Sequence, residues 1–269
     1  MKSPTQFSGR GMRPVLFLLL FGFLILGARA AGAQPPTNTP PGVDHYLVYR
    51  VLNPPTFIVP VVLSDQFILN RTYQTYTLEY FMTPVNKKNE GMIDSVTHYT
   101  WWRINTHPFY ATALISNQFA PGQQFKIYQP QFLLNPARKN EPLGLPIPPK
   151  NHFKVYDATG PTLGIPVGLE DQFGRLQALV DSTVYLATPV QKFYQGQVEP
   201  ILDPVGHLAI YRILALPPVP PTPPCQVHDE FGVWQLELGE RVLLCVPSYK
   251  YNVTETKRES WGGIKKKYR

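Results

Sequence analysis

Residues 45–51 read HYLVYRV, and the same arrangement returns as HYTWWRI (98–104), HFKVYDA (152–158) and HLAIYRI (207–213). Positions one and three after each histidine are Tyr46 and Val48, Tyr99 and Trp101, Phe153 and Val155, Leu208 and Ile210. Side chains on a strand alternate between its faces, so an apolar residue at every second position marks one buried face. The opposite face carries the histidine and, four residues on, Tyr49, Trp102, Tyr156 or Tyr211, and is therefore at least partly covered.

Outward from this strand the copies keep their register. The tripeptides DQF, NQF, DQF and DEF end at Phe67, Phe119, Phe173 and Phe231, which follow their histidines by 22, 21, 21 and 24 residues. Pro84, Pro136, Pro189 and Pro247 come next, each with a lysine three positions later: Lys87, Lys139, Lys192 and Lys250. His45, His98, His152 and His207 are spaced by 53, 54 and 55 residues, so the chain reads as four repeats of about 54 residues. Each copy yields about three strand candidates: the histidine segment, the run into the tripeptide, and a segment ending at the proline. Thirty prolines, nineteen glycines and 13% aromatics favour short strands and turns over long helices. The expected fold is all-β.

Asp94 and Asp203 precede His98 and His207 by four residues, and no aspartate holds that place before His45 or His152. A single three-strand unit buries too little surface to stand alone. Repeats 1 and 2 (43–141) and repeats 3 and 4 (150–250) are thus expected to pair into two β-sandwich or barrel-like lobes. PLGLPIPP (142–149) would link them, and the four repeats hold structural positions at their histidines and phenylalanines.

Residues 1–33 read as a signal peptide: Lys2, Arg10 and Arg13 precede the apolar run VLFLLLFGFLIL, and ARA and AGA offer cleavage after Ala30 or Ala33. The run is too short for a membrane-spanning helix of roughly 20 residues, so no transmembrane segment is expected after cleavage. A proline-rich leader (34–42) follows, and a basic tail (251–269) closes the chain. The net charge of +7 includes Lys2, Arg10, Arg13 and Arg29 of the signal, and the tail carries +4, which leaves residues 34–250 at about −1. The repeats lack the basic surface of a nucleic-acid binder.

With HYLVYRV, VVLSDQF, LDPVGHLAIYRI and LLCVPSYK, residues 43 to 250 resemble an uncharacterised domain of secreted bacterial proteins, often found in tandem. Copies in that family carry one cysteine three residues after the histidine and another two before the proline, as a disulfide pair. Here those columns hold Val48, Trp101, Val155 and Ile210, and Met82, Leu134, Ala187 and Cys245. The substitutions imply neighbouring strands whose side chains meet in the core, with packing in place of the bond. Cys245 has lost that partner, and an exported chain with two cysteines is expected to join it to Cys225, the alternative being two free buried thiols. The resemblance brings no catalytic site and no cofactor.

Four aligned histidines invite a metal site, but repeated residues converge only near a symmetry axis, and no second ligand recurs with them apart from the acid of the DQF tripeptide. A structural hydrogen bond to backbone or to the acidic or amide residue of the tripeptide is the expectation, with no metal. GxSxG, HExxH and a phosphate loop are absent, and nearly equivalent columns do not make one asymmetric active site. Trp101 and Trp102 point to opposite faces of one strand, so one of them is a candidate stacking platform for binding. The lysines after each proline read as solubilising strand ends or a basic row. The chain is expected to be secreted, periplasmic or extracellular, and to act as a non-catalytic binding or structural component toward an envelope glycan or protein. The rival is a secreted hydrolase of a polymer, working through loop carboxylates.

Overall fold

The structure, a computed structural model, describes residues 42–255 apart from 88–89, 143 and 217–221. The expected signal peptide (1–33), nearly all of the expected leader and most of the basic tail fall outside these residues. Copy 1 supplies β1 (Tyr46–Val51), β2 (Pro60–Ser64), β3 (Arg71–Pro84) and β4 (Asn86–Lys87). Copy 2 supplies β5 (His98–Ile104), β6 (Ala111–Ser116) and β7 (Gln123–Lys139). Copy 3 gives β8 (His152–Thr159), β9 (Thr162–Asp171), β10 (Gly174–Tyr194) and β11 (Gln197–Glu199). Copy 4 gives β12 (His207–Ala215), β13 (Cys225–Asp229), β14 (Gly232–Leu236) and β15 (Leu238–Glu255). The fold is all-β, with no helix among the described residues.

Each histidine strand pairs with a long strand on both sides. The pairs run β1–β3, β3–β5, β5–β7, β7–β8, β8–β10, β10–β12, β12–β15 and β15–β1, all antiparallel, so eight strands close on themselves as a barrel. A barrel of this size is just wide enough for side chains to fill. Tyr46, Val48, Met82, Tyr99, Trp101, Phe132, Leu134, Phe153, Val155, Ala187, Leu208, Ile210, Leu243 and Cys245 form one buried cluster drawn from all eight strands. This is the barrel interior, and it takes the face that the alternation marked as apolar. Outside, β2, β6, β9 and β13 pair with the early part of the third-strand segment in their own copies, through β3, β7, β10 and β14. A second core lies between these hairpins and the barrel wall. In β3, β7 and β10 the pairing register slips between the outer part and the barrel part, as at Thr75 to Tyr80 and at Val180 to Tyr185. Such bulges bend a strand from one sheet into another.

β3 ends at its proline, Pro84, as expected, but β7, β10 and β15 run on past Pro136, Pro189 and Pro247. Pro84, Pro136, Pro189 and Pro247 sit opposite Tyr46, Tyr99, Phe153 and Leu208 in the barrel. The chain past each proline then pairs with the second strand of the copy two places on: β4 with β9, the end of β7 with β13, the end of β10 with β2, and the end of β15 with β6. Copies 1 and 3 therefore exchange strands, as do copies 2 and 4. This corrects the expected division into two lobes. Copies 1 and 2 form the run β1–β3–β5–β7, whose two ends pair with β15 of copy 4 and β8 of copy 3, so one structure forms from all four.

Candidate functional site

The polar columns of the pattern meet one another across copies. The acid or amide opening each tripeptide accepts backbone N–H groups at its own turn: Asp65 from Phe67 and Ile68, Asn117 from Phe119 and Ala120, Asp171 from Phe173, Asp229 from Phe231 and Gly232. It also bonds the aromatic of the copy two places on, beside a hydroxyl from Thr188, Ser248, Thr83 or Thr100. Tyr156 Oη donates to Asp65 at 2.8 Å, Tyr49 Oη to Asp171 at 2.5 Å, and Trp102 Nε1 to Asp229 at 2.8 Å, while Asn117 Nδ2 donates to Tyr211 Oη at 2.9 Å.

The middle residue of the tripeptide serves the histidine of the preceding copy. Gln66 reaches His207 Nε2 at 2.9 Å, Gln172 reaches His98 Nε2 at 2.8 Å, and Gln118 bonds His45 Nε2. His98 and His207 meet the carbonyls of Val96 and Val205 through Nδ1. An Nδ1–H donating there leaves Nε2 bare to accept the glutamine amide, which fixes a neutral tautomer. Burial holds His98 and His207 at about 4 and His45 at about 3, below the ordinary histidine range. The lysines complete the circle, Lys87 over Phe119, Lys139 over Phe173, Lys192 over Phe231 and Lys250 over Phe67, at 4.9 to 5.8 Å from the ring centres. Lys87 and Lys192 are buried, so they are structural cations and form no exposed basic row.

The fourth junction differs. Glu230 stands where the other copies have glutamine, and with Glu199 of β11 it surrounds His152 and Lys192. His152 Nε2 lies 3.0 Å from Glu199, its Nδ1 lies 3.1 Å from Asn135 Oδ1, and Lys192 pairs with both carboxylates. Burial lowers His152 to about 4 and Lys192 to about 8, while His152 and Lys192 together hold Glu199 at about 2 despite its own desolvation. His152, Glu199 and Glu230 bring ligand atoms within 4.8 Å of one another, spacing that suits a metal ion. The ammonium of Lys192 already supplies the positive charge among them.

The end of the barrel where the histidine strands finish is a second feature. The residue five after each histidine is Arg50, Arg103, Asp157 or Arg212. Between copies 2 and 3 this rim is sealed: Arg103 pairs with Glu79 and donates to Gln131, and Asp157 accepts from Gln129 and Gln131. Between copies 4 and 1 a cleft of about 920 Å³ opens instead, with Arg50, Arg212, Tyr80, Tyr185, Leu243 and Glu240 among its walls. Arg50 and Arg212 are exposed and have no carboxylate partner among the described residues. The charged position at the end of HYLVYR, HYTWWR, HFKVYD and HLAIYR was the sequence signal for this rim.

Trp101 and Trp102 are both fully buried. Trp101 lies in the barrel interior and Trp102 in the outer core, so neither is a surface platform: both faces of a barrel strand are covered here. Cys225 and Cys245 are free thiols. Cys245 points into the barrel and Cys225 into the outer core, so the wall stands between them and the expected disulfide is corrected. The two columns that carry cysteine in the resembling family are direct cross-strand partners, Val48 with Met82, Trp101 with Leu134, Val155 with Ala187 and Ile210 with Cys245. The residue opposite Cys245 is therefore Ile210.

A family described as a repeat of unknown function (DUF7450) matches residues 98–247, more than half of the chain. No curated protein and no solved structure matches it. No helix among the described residues is long and apolar enough to cross a membrane.

Proposed function

Starting from the fact that the chain belongs to the DUF7450 repeat family, we propose that it is an exported, non-catalytic binding protein of the envelope or extracellular space. The observation that carries this reading is the contrast between the repeated polar columns and the rim. Asp65, Asn117, Asp171 and Asp229, with the histidines and lysines, are taken up in contacts that hold copies together. Groups so engaged are poorly placed to act on a substrate. Unpartnered charge is instead found at the cleft between copies 4 and 1, where concavity and convergent polar groups favour a ligand. Export is supported by the charged, apolar and small-residue order of the first 33 residues.

The test is to express the full chain in a bacterial host, fractionate the cells and measure the intact mass of the product. A chain beginning at Ala31 or Gln34 outside the cytoplasm is the expected result. An uncleaved, cytoplasmic product would remove the export half of the proposal.

A further inference from the structure

The geometry points to the rim cleft as a binding site for an amphipathic anion, a carboxylate or phosphate group carried on an apolar body. This deepens the binding role proposed above and rests on it. The argument begins with the strand pattern. Arg50 and Arg212 continue the inward-facing positions Tyr46, Val48 and Leu208, Ile210, so they form the outermost layer of the barrel filling. They stand on β1 and β12, the two strands that flank β15, and Arg212 is opposite Leu243. Arg50 lies 5.9 Å from the centre of the Tyr80 ring.

The equivalent layer on the far side shows what satisfaction looks like. There Arg103 meets Glu79 through two nitrogens at 2.7 and 2.6 Å, and its guanidinium covers Phe132 at 4.1 Å. On the cleft side the matching carboxylates are missing. The position of Glu79 and Gln131, five residues before the proline, is occupied by Val184 and Val242 in copies 3 and 4. The acidic wall residue, Glu240, pairs with neither guanidinium among the described residues, and Arg241 is engaged with Tyr49 and Phe173.

The apolar half of the ligand has its own complement. Tyr80, Val184, Tyr185, Ile213, Leu214 and Leu243 line the cleft. Behind them Trp101 makes edge contacts with Tyr80 and Tyr185 at 5.6 and 6.3 Å, and its buried Nε1 has no hydrogen-bond partner. A volume of about 920 Å³ falls within the range of small-molecule sites. Two guanidiniums on the wall of a cleft that also holds Tyr80 and Tyr185 suit a carboxylate or phosphate, whose oxygens accept paired N–H groups from a planar guanidinium.

Calorimetric titration of the mature protein with decanoate and with decyl phosphate, below the concentrations at which they form micelles, tests the assignment. Decyl maltoside supplies the neutral control. The anionic probes should bind at least tenfold more tightly than the neutral one, and whichever head group binds better identifies the preferred anion. The double variant Arg50→Gln/Arg212→Gln should lose at least tenfold in affinity with an unchanged urea midpoint. Arg212→Gln alone should lose less, and Arg175→Gln, an exposed arginine elsewhere, nothing. Equal binding of the neutral probe, no binding of either anion, or full affinity in the double variant would overturn the site. An exported protein that ignores both anions defeats this inference alone, whereas a cytoplasmic protein that binds them defeats the export reading alone.

Discussion

Three histidine junctions, His45 with Gln118, His98 with Gln172 and His207 with Gln66, are neutral, whereas the fourth sets His152 among Lys192, Glu199 and Glu230. The same backbone position tolerates both solutions because what it requires is a filled acceptor and donor set, not a particular charge. Changing the glutamine to Glu230 brings a carboxylate into a buried place, and Lys192 and the hairpin bearing Glu199 answer it. The neutral junctions depend on a bare imidazole nitrogen, and the charged one on a cation.

Acid should act on all four junctions with the largest effect, and Glu199 adds to it at the fourth alone. All four histidines are held below their ordinary value by burial, so the unfolded chain takes up protons first as pH falls below 6.5. The stability they contribute is complete above 6.5 and is lost down to about 4, at up to roughly 1.4 kcal/mol per pH unit for each histidine. Glu199, depressed to about 2, adds a second decline between its ordinary 4.5 and that value. Urea unfolding at pH 7, 6, 5 and 4 should therefore show a steep loss, and a flat profile between 7 and 5 would contradict buried neutral imidazoles.

Substitution of the cation comes next. Lys192→Met leaves the carboxylates of Glu199 and Glu230 beside His152 without their cation, at a cost of about 3–5 kcal/mol. Lys139→Met, at a neutral junction, should cost about 1 kcal/mol, since its chief loss is a contact with Phe173. Equal denaturant midpoints for the two variants would erase the distinction. Glu230→Gln should convert the fourth junction to the pattern of the others, within about 1 kcal/mol of the parent at pH 7. Its urea midpoint measures this, and a loss as large as that of Lys192→Met would show that the carboxylate itself is indispensable. The smallest effect is reserved for reductant, which should leave the midpoint unmoved, because Cys225 and Cys245 are unpaired. Mass measurement after alkylation of the unfolded, unreduced chain should find two modified thiols.

The columns were legible in the sequence; their partners were not. Alternation at Tyr46, Val48, Tyr99 and Trp101 marked the buried face, because strand geometry is local. Periodicity places His45, His98, His152 and His207 at equivalent positions but cannot say that Gln118 belongs to His45 or Asp65 to Tyr156, since that depends on which copy lies next in space. The two lobes do not form for this reason: Asp94 and Asp203 group neighbouring copies in sequence, whereas the chain beyond each proline carries the pairing to the copy two places on. Cys225 and Cys245 show the same gap, being near in sequence and on opposite sides of a sheet. The rim cleft was hidden because its character comes from the absence of acids at Val184 and Val242, and a missing partner is visible only once neighbours are known.

Tyr46 pairs with Cys245 and Val62 with Phe193. β1 thus acquires its second neighbour only when β15 has been made, and the described ladder has no earlier stopping place at which both edges of β1 are covered. Contacts of such long sequence separation give slow, all-or-none folding. Loss of the final strand by truncation would accordingly deny β1 its closing partner rather than merely shorten one end.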